Sequence, residues 1–326
     1  MSTPEPESES LCASAPSPTR RDTQPYALVI GESIVDIVPD EAGVPHEFAG
    51  GSPMNVAVGL ARLGRPTTLA TWYGADLRGM LIASHLRGSG VTPLPGSERA
   101  RRTPTAQVFF DEHRSATYEF DLEWRMPPLG DAPTPLVVHT GSIGATLAPG
   151  AADVLAAVRA LAPHASVSYD PNARPHVIGS PDANRAQIEA CVAAADIVKA
   201  SAEDLEWLYG TAADIEHPWL GTADGGPKLL VVTQGGDGVT AWTSKGVHVQ
   251  VPGERVEVAD TVGAGDSFMS ALIHALWSAD LLGATNRDKL ADISTQQLTE
   301  ILNFCTRVAA ITVSRPGANP PWLREL

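Results

Sequence analysis

The chain has 326 residues and a mass of 34.2 kDa, enough for one large α/β domain with a small appendage or for two modest domains. Hydrophobic residues make up 43% of it and can fill a sizeable core. The formal charge of −15 and a pI near 4.9 argue against a nucleic-acid or anionic-membrane partner, both of which need a basic face, and leave a small, locally recognised substrate.

Cys12, Cys191 and Cys305 are far apart and lack C-x-x-C spacing, so neither a disulfide framework nor a zinc site is expected, and a reducing cytoplasm is the default location. The nine histidines form no H-E-x-x-H pair, and His139, inside an apolar run, is expected in the core. No run reaches the length of a transmembrane helix, and the N-terminus lacks the basic and apolar regions of a signal peptide.

In chain order, residues 1–24 are rich in Pro, Ser and Glu and too poor in large apolar side chains to order, which predicts a loose tail. Tyr26 to Gly31 reads as a buried strand opening a parallel α/β sheet. Ser33 to Val38 continues extended, and Asp36 among its apolar neighbours lies either on a solvent face or in a polar site. Gly50-Gly51-Ser52-Pro53-Met54-Asn55 opens a helix running through Leu63, with Ser52 as N-cap, Pro53 at the first helical position and Gly64 past the end. Capping does not explain Gly50-Gly51; they form either a plain tight turn or a point of large rotation and close ligand approach.

Thr67 to Tyr73 is another strand, followed by Gly74-Ala75-Asp76-Leu77-Arg78-Gly79 and a helix through Leu86. Thr105 to Asp111 and Ser115 to Trp124 read as a hairpin turning at Glu112-His113-Arg114, with Phe109, Phe110, Tyr118 and Phe120 giving it an apolar side. With the Asp36 strand it predicts a small β-sheet outside the main layer. From Leu136 strands and helices alternate: Leu136 to Thr140, a helix over Ala151 to Leu161, Ser166 to Tyr169, a helix across Ala186 to Ala195, and Ile197 to Lys199. That pattern predicts a doubly wound parallel sheet with helices on both faces and ligands at the carboxyl ends of its strands.

Three strand ends carry candidate loops. Asp170-Pro171-Asn172-Ala173-Arg174 is either a ligand loop or a Pro-Asn turn. In Ser201-Ala202-Glu203-Asp204 the last residue also suits the N-terminal turn of a helix. Thr233-Gln234-Gly235-Gly236-Asp237-Gly238, after the strand Leu229 to Val232, also suits a hairpin turn. Leu298 to Val313 reads as a long helix ending at Ser314 to Ala318.

The most specific stretch is Asp260-Thr261-Val262-Gly263-Ala264-Gly265-Asp266-Ser267-Phe268, ahead of the helical run Met269 to Trp277. Glycines at a helix mouth turn several N–H groups toward one point where the dipole favours negative charge. Asp266 at the rim is either an N-cap or a base that takes a proton from an attacking hydroxyl. A dinucleotide fingerprint would need glycine in place of Phe268, and no G-x-x-x-x-G-K-[ST] loop occurs.

Asp260 to Asp266 resembles the C-terminal signature of the ribokinase-like, or PfkB, sugar and nucleoside kinases, and the resemblance extends over residues 25–326. It implies Asp266 as catalytic base and the amides of Gly263, Ala264 and Gly265 as the phosphoryl cradle. It further implies Asp36 and Asn55 as sugar ligands and Gly50 and Gly51 as a lid hinge, and gives Asp76 no catalytic role. The small sheet, about 33–49 and 103–124, would be a lid and a homodimer surface.

By the same resemblance Asn172 and Arg174 lie near the phosphates of ATP. Thr233, Gly235 and Gly238 flank the nucleotide. Ser201 and Asp204 replace the usual N-x-x-E that orders water around Mg²⁺. A K⁺ is implied near Asp260, Val262, Thr312 and Gly317, held largely by carbonyls. The implied function is an ATP-dependent sugar kinase, and Gly50 to Ala57 looks most like fructokinases; ribose, 2-keto-3-deoxygluconate and adenosine stay open. A sugar-binding regulator on a kinase scaffold is the alternative outside enzymes.

Overall fold

The computed structural model describes residues 24–40, 42–110, 116–210, 219–220 and 226–326. The expected tail (except Gln24), the turn at 112–114, and the side chains of Phe110 and Tyr118 lie outside the described residues.

The first half runs β1 (Ala27–Ile30), β2 (Ile34–Pro39), β3 (Pro45–Gly50), α1 (Ser52–Arg62), β4 (Thr67–Ala70), α2 (Leu77–Ser89), β5 (Thr92–Pro93), β6 (Thr105–Phe110) and β7 (Ala116–Asp121). The middle alternates β8 (Val137–Gly141), α3 (Gly150–Leu161), β9 (Ser166–Asp170), α4 (Pro175–Ile178), α5 (Pro181–Ala194), β10 (Ile197–Ser201) and α6 (Ala202–Tyr209). The last part holds β11 (Leu229–Thr233), β12 (Val239–Thr243), β13 (His248–Val251), α7 (Ala264–Ser278), α8 (Arg287–Ala291) and α9 (Thr295–Val313).

Nine of these strands form one sheet in the order β13-β12-β11-β10-β9-β8-β1-β4-β5. Its strands are apolar at consecutive positions because both faces are covered. Ala27 and Val29 of β1 face the core beneath α1, α2, α7 and α9, whereas Leu28 and Ile30 face the core beneath α3, α5 and α6. Leu229 and Val231 against Leu230 and Val232 in β11 repeat that two-residue alternation. The strands pair in parallel except β12 and β13, which add an antiparallel edge to the sheet expected to be parallel. The doubly wound α/β expectation is borne out in this parallel-dominated form.

β3, β2, β6 and β7 make a separate four-stranded sheet, with Asp36 opposite Phe48 on one side and Ala106 on the other. Only residues 31–33 separate β2 from β1, so the small sheet stands over the carboxyl end of the large one. Most element boundaries fall near their expected positions. Two helices start earlier than expected, α5 at Pro181 and α9 at Thr295, where Ser294 Oγ accepts the N–H of Gln297 at 3.2 Å.

One cap is corrected. Ser52 is the first residue of α1, and Gly51, with φ 114°, takes the N-cap position. The Ser52 hydroxyl is drawn to another partner, described below. At the other end of α1, Arg62 donates to Asn319 Oδ1 (2.7 Å) and Pro320 O (2.8 Å) and lies over the Trp322 ring, tying the end of the chain to this helix.

Candidate active site

α7 starts where it does because Gly263 caps it in the left-handed region, φ 76°. A Cβ on Gly263 would stand 2.7 Å from Ala318 Cβ, so glycine is required on both counts. First-turn N–H groups have no acceptor inside their own helix. Among the described residues the amides of Gly263, Gly265 and Asp266 donate to nothing, whereas Ala264 N already donates to Thr261 O at 3.3 Å. The open cradle is therefore Gly263, Gly265 and Asp266, which corrects the expected set at Ala264.

Asp266 is the third residue of α7, so it is not the N-cap. Its Oδ1 accepts from Ser52 Oγ at 2.7 Å and its Oδ2 from Asn55 Nδ2 at 2.8 Å, and the residue is 6% exposed. Both donors come from the first turn of α1, whose opening glycines let the chain run tight against its neighbours. A Cβ on Gly50 would collide with Asp36 Oδ2, and one on Gly51 would stand 2.7 Å from Glu32 O. The glycine pair thus lets the chain approach the Asp36 carboxylate at Gly50 and the Glu32 backbone at Gly51, which a plain turn would not need.

These residues line a cleft of about 1110 Å³ between the two sheets, walled by α7 and its preceding loop, β2, the start of α1, and Pro316 to Asn319. Asp36 points into it from the small sheet, and burial pushes its carboxyl up to about 6 against the opposing charge of Arg174. Glu32 lies deeper. Burial pushes it up to about 7, although Gly144 N donates to its Oε2 at 2.7 Å. Asn172, at φ 36°, also faces the cleft, and its Nδ2 is buried without a partner among the described residues. Arg174 lies exposed on the same wall.

Asp260, Val262 and Gly317 also line the cleft, whereas Ser201, Asp204, Thr233, Gly235, Gly238 and Thr312 stand outside the lining. Ser201 and Asp204 form a capping box at α6: Ser201 Oγ accepts Asp204 N, and Asp204 Oδ2 accepts Ser201 N at 2.8 Å. Asp204 Oδ1 takes Ala173 N at 2.6 Å, bracing the Asp170 to Arg174 loop. Thr233, Gly235 and Gly238 are in the turn joining β11 to β12, with Gly238 at φ 113° where a Cβ would strike Val251 O. Asp260 Oδ1 accepts Val262 N (3.0 Å) and Oδ2 accepts Gly317 N (2.9 Å), while the buried Thr312 hydroxyl donates to Val308 O (3.0 Å). Asp76 caps α2 by accepting Gly79 N at 2.8 Å. His139, 1% exposed and 3.0 Å from Ser168 Oγ, is a core residue that burial pushes down to about 3.

The profile of the pfkB family carbohydrate kinases matches residues 24–325. The chain belongs to this family. This pfkB kinase is 33% identical over 271 residues to a fructokinase of Rhizobium leguminosarum bv. trifolii, a match covering 78% of the chain and 81% of the relative. It superposes with a TM-score of 0.76 and 28% identity on fructokinase with bound ATP from Xylella fastidiosa, covering 90% and 93% of the two chains. It superposes with a TM-score of 0.73 and 28% identity on a fructokinase double mutant from Vibrio cholerae O395 in its fructose, ADP and potassium ion bound form, covering 92% and 95%. The pfkB kinase is an ATP-dependent sugar kinase, as its signature implied. No helix among the described residues is long and apolar enough to cross a membrane.

Sequence reasoning passed over three residues of this site. Glu32 was legible as a carboxylate directly after the first strand, and Lys199 as a lone charge in the buried strand Ile197 to Ser201. The Ser52 contact to Asp266, 214 residues away, left no local signal.

Proposed function

We propose that this kinase transfers the γ-phosphoryl group of ATP to a primary hydroxyl of fructose, with Asp266 as base. The observation carrying this reading is the Asp266 carboxylate, anchored by Ser52 and Asn55 beside open amides and facing a cleft that holds Asp36. Asp36 accepts hydrogen bonds from sugar hydroxyls, and Asn55, whose Nδ2 serves Asp266, offers its Oδ1. The attacking hydroxyl passes its proton to Asp266. Charge on the phosphoryl group meets the N–H groups of Gly263 and Gly265 at the positive end of α7.

The small sheet acts as a lid hinged at Gly50 and Gly51, and its closure keeps water from competing as acceptor. Asn172 Nδ2, buried and unpartnered, and Arg174 bind the phosphates, and Thr233, Gly235 and Gly238 flank the nucleotide. Ser201 and Asp204 act through the loop they brace, since their polar atoms serve the cap and Ala173. Mg²⁺ fits as a companion of the ATP phosphates: no group of three or more His, Cys, Asp or Glu that could cage a metal exists among the described residues. Bound with ATP, it would neutralise phosphate charge.

A K⁺ would fit between the Asp260 loop and the Thr312 to Gly317 turn, held largely by backbone carbonyls such as that of Val262, with Asp260 fixed in place by the N–H groups of Val262 and Gly317. Exposed Phe109 on the small sheet and Val44 in the turn leading into β3 support a homodimer through the lid. Free, buried Cys191 and Cys305 accord with a cytoplasmic location.

The test is ADP release measured across fructose, ribose, 2-keto-3-deoxygluconate and adenosine. Fructose should give the highest kcat/KM; a higher value for any other would overturn the acceptor assignment. Asp266→Asn should lower kcat by ~10³-fold or more while leaving fructose affinity nearly intact. An active variant would remove Asp266 from the role of base.

A further inference from the structure

Lys199 is the middle residue of β10, flanked by buried Val198 and Ala200, and its side chain is 3% exposed. Its Nζ donates to Asp170 Oδ2 at 2.9 Å, on the neighbouring strand β9, and to no other acceptor among the described residues. Asp170 is fully buried, and its second oxygen, Oδ1, has no partner among the described residues. A buried ion pair with an unsatisfied oxygen is a poor device for stability, since apolar residues of the same volume commonly do as well or better. Its position at the carboxyl end of the sheet suggests another use.

The ammonium lies directly beneath the anion loop. A Cβ built on Gly265 would stand 2.9 Å from Lys199 Nζ, so the glycine backbone closes onto the charge with no side chain between them. Gly265 is also one of the residues whose amides stay open. Arg174, which does line the cleft, is exposed on its wall, where water screens it. His139, behind Lys199, is held neutral by burial. The buried side chains that act electrostatically on Lys199 are the carboxyls of Asp170, Asp204 and Asp266, so its ammonium sits among acids.

Resting on the kinase reading above, we infer that Lys199 is a positioning residue for phosphoryl transfer. Its buried ammonium backs the Gly263 to Asp266 loop and stabilises charge on the phosphoryl group through the loop, without touching it. Asp170 holds the ammonium in place and partly masks it. Burial pushes Asp170 up to about 6, which leaves the pair ionised at neutral pH, and neighbouring carboxylates hold Lys199 above its usual value.

The experiment compares wild type, Asp170→Asn, and the double variant Lys199→Met/Asp170→Asn, which leaves no orphan charge. Turnover is measured with fructose, and binding is measured by calorimetry of ADP with and without aluminium fluoride, a mimic of the transferring group. The double variant should lose ~100-fold in kcat, with KM for fructose changed less than ~3-fold. It should also lose the tightening that aluminium fluoride gives ADP in wild type, while binding ADP alone as before. Asp170→Asn unmasks the ammonium and should bind ADP with aluminium fluoride more tightly than wild type.

A double variant within ~3-fold of wild-type kcat, or one that weakens ADP and its fluoride complex alike, would overturn the inference. If the double variant does not fold, Asp170→Asn decides alone, and a weakened fluoride complex in it is the refuting result. Absent wild-type turnover of fructose counts against the acceptor assignment; the calorimetry without sugar then decides the role of Lys199.

Discussion

Glu32→Gln should stabilise the ligand-free enzyme, and by more as the pH rises. The residue is 5% exposed, and burial lifts its carboxyl from 4.5 to about 7. A folded-state value above the unfolded one means that the stability this group contributes is complete below pH 4.5 and is lost as the pH rises through about 7. Across that window, ionising the carboxyl costs the folded state about 3 kcal/mol. Glutamine keeps a carbonyl oxygen for Gly144 N but cannot ionise. The gap between variant and wild type should therefore widen by about 2 kcal/mol from about pH 5.5 to about pH 8.5. Urea unfolding at constant ionic strength, followed by tryptophan fluorescence, measures it. Two stability curves that run parallel across this range would refute the reasoning, as would a wild type that gains on the variant at high pH.

Three further outcomes follow from the same geometry. KM for fructose should rise as the pH falls through about 6, because protonated Asp36 loses acceptor capacity, and Asp36→Asn should bind sugar weakly at every pH; a flat wild-type profile counts against this. Ser52→Ala removes a 2.7 Å hydrogen bond to a carboxylate and should lower kcat by roughly 10-fold with fructose KM changed less than ~3-fold, since it frees the base to turn; steady-state kinetics decide. Ser201→Ala should lower stability by about 1 kcal/mol and leave kcat nearly unchanged, since the hydroxyl caps α6; a large loss of kcat without a change in melting would return Ser201 to a direct role at the phosphates.

The sheet was legible because a strand buried on both faces must be apolar at consecutive positions, and Ala27 to Ile30 and Leu229 to Val232 meet that demand within four residues each. The anion loop was legible because a glycine in left-handed conformation beside a helix start leaves a local record at Gly263 to Asp266. Ser52 was misplaced as a cap because local propensity favours a serine there, and a carboxylate distant in sequence outbid it. Ala264 was counted among the open amides because glycine content cannot show that Thr261 O already accepts its N–H. The edge strands β12 and β13 were under-read for a similar reason. Their direction depends on a short turn at Gly235 to Gly238, whose composition reads as a hairpin turn and which only the family resemblance made a nucleotide-flanking loop.

Helix α1 joins features that look separate along the chain. Its first turn steadies the Asp266 carboxylate, and its last turn grips Asn319 and Pro320 through Arg62, beside residues that wall the cleft. A tilt of this one rod would disturb the reacting corner and the far partition together. Retrofitting the enzyme for another sugar is therefore safer from the detachable side, around Phe48 and Ala106 next to Asp36, with the rod left alone.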